Sequence, residues 1–239
     1  MADFLLIHGA WHGAWCWKKL VPELQKAGHQ VRIPNLPGHG GDPTDQASIH
    51  LATYAGHVVE LLDTGDAPVI LLGHSMGGMV ITQAAEYRPD RIQALVYLTA
   101  FLPRNGESLL AIEERNPKAS VPPNLVPDAA GITATINAAQ ITNLFYHDCS
   151  EADIAFATRQ LTPQPLAPLA EPVTLSDNNF GSIPRVYIEC TEDRAICLEQ
   201  QRVMHQATPC DRVFSLATSH SPFFSAPREL AGILAEIAG

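Results

Sequence analysis

The sequence is poor in basic residues and has no long apolar segment. Lysine and arginine number 15 against 25 aspartates and glutamates, so the formal charge is −10 over 239 residues. This balance argues against nucleic acid and anionic membrane surfaces as partners. No apolar run approaches membrane-spanning length, and the first residues lack the basic segment of a signal peptide. We therefore expect a cytoplasmic protein with neither a nucleic-acid nor a membrane partner.

Cysteine is scarce as well, and its spacing is informative. The five cysteines are odd in number, and no two of them are spaced as C-x-x-C. This pattern favours reduced thiols over a disulfide framework or a zinc site. A hydrophobic content of 46% is enough to bury one substantial core, and chains of this length are commonly a single domain with an insertion.

The most informative stretch is residues 68–79, which read P-V-I-L-L-G-H-S-M-G-G-M. Four apolar residues predict a buried parallel strand, and G-H-S-M-G then fits the G-x-S-x-G turn that exposes a nucleophilic serine between a strand and a helix. Ser75 is the candidate nucleophile, and the backbone N–H of Met76 would face an oxyanion. The alternative interpretation is an ordinary glycine-rich turn.

A second loop predicts the other half of an oxyanion hole. Residues 4–7 read as a short buried strand that ends in H-G-A-W. In enzymes with this serine turn the second donor comes after such an early strand, so the N–H of Ala10 is the candidate. Trp11 and His12 would border the same pocket, although His12 also fits a loop histidine that hydrogen-bonds to the backbone.

Strands and helices alternate along most of the chain, which predicts an α/β fold with a mainly parallel sheet of about six strands, flanked by helices. The predicted strands are residues 4–7, 29–33, 69–72, 92–98, 185–190 and 212–216, and the predicted helices outside the insertion are 15–27, 53–62, 198–207, 227–237 and one after Ser75. The alternation breaks between residues 103 and 183. Residues 1–102 and 184–239 are therefore interpreted as the core, and 103–183 as a helical lid with helices at 107–115, 132–145 and 150–161. A packed subdomain without contact to substrate is the alternative.

A serine hydroxyl needs a histidine base, and that base needs a carboxylate to orient it. In this architecture the acid and then the histidine come after the serine, on loops at the ends of later strands. Asp193 comes after the strand that ends at residue 190, and His220 after the strand that ends at residue 216. Glu192 stays open as a rival acid, and His220 also fits a surface loop histidine.

Four segments resemble one known family nearly end to end. They are residues 6–17 (L-I-H-G-A-W-H-G-A-W-C-W), the serine turn, residues 145–155 (F-Y-H-D-C-S-E-A-D-I-A) and residues 180–193 (F-G-S-I-P-R-V-Y-I-E-C-T-E-D). They resemble the α/β-hydrolase branch of plant methylesterases and hydroxynitrile lyases, which includes bacterial pyrethroid-hydrolase-type carboxylesterases. The resemblance implies the α/β-hydrolase fold, a triad of Ser75, Asp193 and His220, and the amides of Ala10 and Met76 as oxyanion donors.

Two positions separate the branches of this family. Its hydroxynitrile lyases carry a threonine directly after the histidine of the first strand and a lysine directly after the catalytic histidine. Gly9 and Ser221 stand at those positions here, so the resemblance favours a serine carboxylesterase that acts through an acyl-enzyme without metal or organic cofactor. A ligand-binding receptor on this fold, a hydroxynitrile lyase and a C–C hydrolase are the alternatives.

The expected substrate is a small uncharged ester, apolar or aromatic, because aromatic and aliphatic side chains are available to line the pocket. The candidates are Trp11, His12, Phe101, Leu144, Phe145 and Phe223. Several of them fit core packing equally well. The sequence leaves the acyl and alcohol preferences open, and it does not decide between a monomer and a homodimer.

Overall fold

The computed structural model of the chain describes residues 1–65 and 67–239. Its strands are β1 Asp3–Ile7, β2 Gln30–Arg32, β3 Val69–His74, β4 Ile92–Leu98, β5 Leu125–Pro127, β6 Thr133–Ile136, β7 Gln164–Pro165, β8 Arg185–Cys190 and β9 Arg212–Leu216. Six of them form one sheet in the order β2-β1-β3-β4-β8-β9, and every neighbouring pair in it is parallel. The predicted six-stranded α/β fold is confirmed.

Helices flank this sheet and also occur in the insertion. They are α1 Leu20–Lys26, α2 Leu51–Asp63, α3 Gly77–Tyr87, α4 Leu109–Glu114, α5 Ile141–Phe145, α6 Glu151–Gln160, α7 Ala167–Ala170, α8 Leu198–Ala207, α9 Pro222–Ser225 and α10 Pro227–Ala238. The helix predicted at 15–27 begins as a 3₁₀ turn over Ala14–Lys19 and continues as α1. Within the described part of the chain, no helix is both long and apolar enough to cross a bilayer.

The central strands are apolar on both faces because helices cover the sheet on both sides. Every residue of β3 is buried, as are four of the five in β1, and this burial explains the uninterrupted apolar runs seen in the sequence. In register, Leu71 lies between Leu5 and Leu95 of the neighbouring strands. Parallel strands end at one edge of the sheet, so the loops after β1, β3, β4, β8 and β9 meet there.

The insertion is not purely helical. Strands β5, β6 and β7 form a second, antiparallel sheet of three strands, so the helix predicted over residues 132–145 is wrong in its first half. Three of the four residues in Thr133–Ile136 are β-branched, and β-branched residues favour strands. The turn before it places Gly131 at φ 67°. The helix predicted at 150–161 is confirmed, and the Ser150 hydroxyl caps it by accepting a hydrogen bond from Asp153 N–H.

Candidate active site

Ser75 stands at a turn that only glycine-flanked backbone can make. Its φ is 54°, in the left-handed region, where a non-glycine residue is strained. A Cβ added at Gly73 would lie 2.5 Å from the carbonyl oxygen of Gly77, and one added at Gly77 would lie 2.7 Å from that of Ile7. Both glycines of the G-x-S-x-G motif are therefore sterically required. Only Ser75 and Met76 lie between the end of β3 and the start of α3.

Asp193 and His220 form a hydrogen-bonded pair across the loops after β8 and β9. The distance from His220 Nδ1 to Asp193 Oδ2 is 2.6 Å, and both side chains are buried. The same Oδ2 accepts the Thr99 hydroxyl, while Oδ1 accepts the N–H groups of Ala195 and Ile196 at 2.6 and 3.0 Å. The rival acid Glu192 is exposed, and among the described residues its carboxylate makes no hydrogen bond to His220.

The hydrogen bond to Asp193 determines which ring nitrogen of His220 carries the hydrogen and which carries the lone pair. A carboxylate oxygen accepts and cannot donate, so the hydrogen lies on His220 Nδ1. The lone pair is then on Nε2, the nitrogen that a general base would use. His74, inside the serine turn, donates its Nε2–H to the His220 carbonyl at 2.8 Å, so the turn and the histidine loop are directly joined.

The sequence predicts that two backbone N–H groups form an oxyanion hole beside Ser75. They belong to Ala10 and Met76, and both residues line the same cavity as the serine. Within residues 1–65 and 67–239, neither N–H donates a hydrogen bond to a protein group. Unpaired amides at a cavity wall are what an oxyanion requires. The backbone beside Ala10 is strained as well, since Trp11 has φ 63°.

His12 hydrogen-bonds to this loop and is not one of the residues that line the cavity. Its Nδ1–H donates to the Ala10 carbonyl at 2.7 Å, so the lone pair of Nε2 accepts the Tyr146 hydroxyl, also at 2.7 Å. Burial lowers the pKa of His12 to about 3, which keeps the ring neutral. The structure therefore matches the interpretation of His12 as a loop histidine bound to backbone.

The site opens into a narrow cavity of about 30 Å³. Its apolar wall consists of Ala10, Trp11, Met76, Phe101, Leu109, Leu110, Val121, Pro122, Leu125, Phe145, Leu169, Ala195 and Ile196, and its remaining lining residues are Ser75, His220 and Glu113. Three of the sequence-derived pocket candidates, Trp11, Phe101 and Phe145, lie in this wall. The other three, His12, Leu144 and Phe223, are buried and are not among the residues that line the cavity. Phe223 packs edge-on against His74 and Trp17.

Several residues at the site were missed because their partners are distant in sequence. Thr99 lies directly after β4, has φ 36° and donates to Asp193. Asp148, from the insertion, accepts the N–H of Ser219 at 2.8 Å and also its hydroxyl, directly beside His220. Both lie next to strands or motifs that the sequence does show, but no local pattern marks them. No local pattern in the sequence marks Glu113 either, although it lines the cavity.

The fold and this arrangement define an α/β-hydrolase. Residues 4–233 match the model of the alpha/beta hydrolase family, and the chain belongs to that family. It is 33% identical to "Putative methylesterase 15, chloroplastic" from Arabidopsis thaliana over 98% of this chain but only 56% of that protein, so the chain spans little more than half of that relative.

Two solved structures match nearly all of this chain and nearly all of their own length. Polyneuridine aldehyde esterase superposes with a TM-score of 0.90 at 29% identity, covering 100% of both chains. A pyrethroid hydrolase from Sphingobium faniae JZ-2 superposes with a TM-score of 0.88 at 30% identity, covering 99% of this chain and 97% of its own. The branch expected from the sequence is confirmed.

Proposed function

We propose that this α/β-hydrolase is a serine carboxylesterase. The observation that carries the proposal is that Ser75, the Asp193-paired His220 and two unpaired amides surround one apolar cavity in the described part of the chain. Relatives and neighbours named as methylesterase, polyneuridine aldehyde esterase and pyrethroid hydrolase support an esterase.

The geometry supports an acyl-enzyme mechanism. Nε2 of His220 removes the Ser75 proton as the hydroxyl oxygen attacks the ester carbonyl carbon. The negative charge that develops on the carbonyl oxygen is stabilised by the N–H groups of Ala10 and Met76, each contributing about 3 kcal/mol to the lowering of the barrier. The imidazolium then protonates the leaving alcohol. Water attacks the acyl-enzyme by the same steps in reverse.

The cavity wall favours an uncharged substrate. None of its lining residues is a lysine or an arginine, so a substrate anion would be desolvated without a compensating charge. Phe101 and Phe145 offer apolar surface, and the rings of Trp11 and Phe145 stack at 5.8 Å between centroids. Esters with aliphatic or aromatic groups fit these surroundings.

Two positions argue against lyase chemistry. A Cβ at Gly9 would lie 2.8 Å from Ser75 Cβ, so a threonine there requires the backbone to shift. Ser221 is fully buried and does not line the cavity, and a serine has no ammonium group that could stabilise departing cyanide.

The decisive experiment compares wild type with Ser75→Ala on p-nitrophenyl esters from acetate to decanoate. We expect the variant to lose at least about 10⁴-fold in kcat while keeping its circular dichroism and Tm. Ser48→Ala, a hydroxyl in a surface turn, is the matched control and should match wild type. A folded Ser75→Ala variant that retains turnover would falsify the assignment.

A ligand receptor that works without turnover is separated by the same assay. Fast multiple turnover of any ester supports the esterase. Silence of the wild type towards every ester, together with ligand-induced shifts in Tm, would support a receptor instead. Stoichiometric labelling by a fluorophosphonate, located by mass spectrometry, tests directly whether the Ser75 oxygen is nucleophilic.

A further inference from the structure

One residue that lines the cavity carries a buried carboxyl group, in addition to the Asp193 carboxyl that binds His220. Glu113 lies near the end of α4, in the insertion, and only 4% of its surface is exposed. Neither of its carboxyl oxygens makes a hydrogen bond within the described chain. Buried polar groups are nearly always hydrogen-bonded, and one that is left unpaired costs stability. Such a group at the wall of a substrate cavity calls for an explanation.

We propose that Glu113 selects substrates that carry a hydroxyl group in addition to the ester, by hydrogen-bonding that hydroxyl within the cavity. The inference rests on the proposed esterase function and deepens it. Ser75 and His220 are committed to the reaction, and the Trp11 indole N–H already donates to the Ala134 carbonyl at 2.9 Å. Among the side chains in the wall, Glu113 is therefore the one left to bind a polar substituent.

The surroundings favour a neutral hydroxyl over a charged group. A protonated carboxyl both donates and accepts, as a hydroxyl does, so the two groups satisfy each other completely. Burial and the negative charge of Asp193 raise the pKa of Glu113 to about 7, so much of the population holds that proton at neutral pH. An ammonium group would have to form a desolvated ion pair among apolar side chains, which is costly.

A purely structural role predicts different behaviour. If the carboxyl group stabilised the fold, its removal would lower Tm and leave substrate preference unchanged. Because its oxygens have no partner among the described residues, we expect the near-isosteric Glu113→Met variant to raise Tm and at the same time to lose discrimination. A gain in stability with a loss of selectivity is the signature of a group retained for binding.

The experiment uses esters matched in heavy atoms that end in a methyl, a hydroxyl or an ammonium group. One series varies the acyl chain as p-nitrophenyl esters, and a second varies the alcohol as acetates followed by pH-stat. The readout is the ratio of kcat/KM for the hydroxyl and methyl members. We expect this ratio to be about tenfold higher in wild type than in Glu113→Met at the best chain length, and to be largely retained in Glu113→Gln.

One control variant keeps the result specific. Glu114→Met changes the neighbouring exposed carboxylate and should leave the ratio at its wild-type value. Ratios that are equal in wild type and Glu113→Met at every length in both series would overturn the proposal, and so would preference for the ammonium member.

Failure of the proposed function gives a different result, since no ester of any kind would be turned over. Glu113 is then tested by calorimetry with the same matched esters as ligands. A tenfold affinity ratio that depends on Glu113 supports the hydroxyl site without catalysis, and equal affinities reject it.

Discussion

Two carboxyl groups at the active site are both buried, yet their surroundings are opposite. Asp193 is 6% exposed and Glu113 is 4% exposed. Both oxygens of Asp193 are occupied, by four hydrogen bonds in all, whereas both oxygens of Glu113 lack a partner across residues 1–65 and 67–239. A saturated carboxylate is fixed in place and can orient another group, and an unsaturated one is free to bind a ligand.

The difference arises from where each residue lies in the fold. Asp193 leaves the end of β8 beside Thr99 at the end of β4, so the parallel sheet itself brings donors to it. Glu113 is on a helix of six residues in the insertion, with apolar neighbours such as Leu109 and Leu110 in the cavity wall. The core carries the residues that we propose for catalysis, and the insertion carries the group that we assign to selectivity.

Removing the charge of Asp193 should have the largest effect. In Asp193→Asn, the amide can donate to His220 Nδ1 and favour the wrong tautomer, so we expect kcat to fall about 10⁴-fold. Steady-state kinetics on a p-nitrophenyl ester measures this. Glu192→Gln is the matched control and should stay near wild type. A loss in Glu192→Gln as large as in Asp193→Asn would assign the acid role to Glu192.

The raised pKa of Glu113 should make its contribution to the free energy of unfolding fall as the pH rises. An acid whose pKa rises from its ordinary value of 4.5 to about 7 in the folded protein binds its proton more tightly there than when unfolded. Its contribution to stability is complete at low pH and is lost as the pH rises through that interval. Relative to wild type, Glu113→Gln should therefore gain roughly 3 kcal/mol in free energy of unfolding between pH 4.5 and pH 8.

Urea denaturation of both proteins across this pH range gives the difference directly, because the other titrating groups are shared and cancel. Glu114→Gln serves as the exposed control and should show no such trend. A flat difference between wild type and Glu113→Gln would mean that Glu113 is ionised in the folded protein and already has a partner.

The sequence predicts the core well because its signals are local. The strand at 92–98 and the helix at 198–207 have the predicted bounds, since apolar runs and periodicity mark them. The insertion is predicted less well, because proline-rich segments carry little periodicity and because Thr133–Ile136 was grouped with the helix after it. Threonine and isoleucine after a glycine turn would have indicated a strand.

The site divides in the same way. Ser75, Asp193 and His220 can be predicted from their places after strands, because the end of a strand fixes the position of the next loop residues. Thr99 and Asp148 cannot, since their hydrogen bonds join residues 94 and 71 positions apart. Only the folded chain brings such partners together, and the unpaired state of Glu113 is equally invisible in the sequence.

Asp148 offers a carboxylate from the insertion that acts on the core. It accepts two hydrogen bonds from Ser219, the residue before His220. Burial alone would raise the pKa of Asp148, but hydrogen bonds, first among them those from Ser219, together outweigh it and the net pKa is lowered. We expect Asp148→Ala to reduce kcat about tenfold with little change in KM, because the histidine loop loses its anchor.

The matched control is Asp177→Ala, an exposed carboxylate elsewhere in the insertion, which should behave as wild type. If Asp148→Ala lowers Tm but leaves kcat unchanged, the contact with Ser219 serves folding and does not position His220.

Removing one of the four hydrogen bonds to Asp193 should have the smallest effect. Thr99→Val keeps the shape of the side chain and deletes the hydroxyl that donates to Oδ2. Three donors remain and keep the carboxylate in place, so we expect only about a fivefold loss in kcat, which corresponds to about 1 kcal/mol of barrier. Thr135→Val, on the exposed face of β6, is the control. A loss approaching that of Asp193→Asn would show that Asp193 depends on a single donor, and the contrast with Glu113 would then be one of degree.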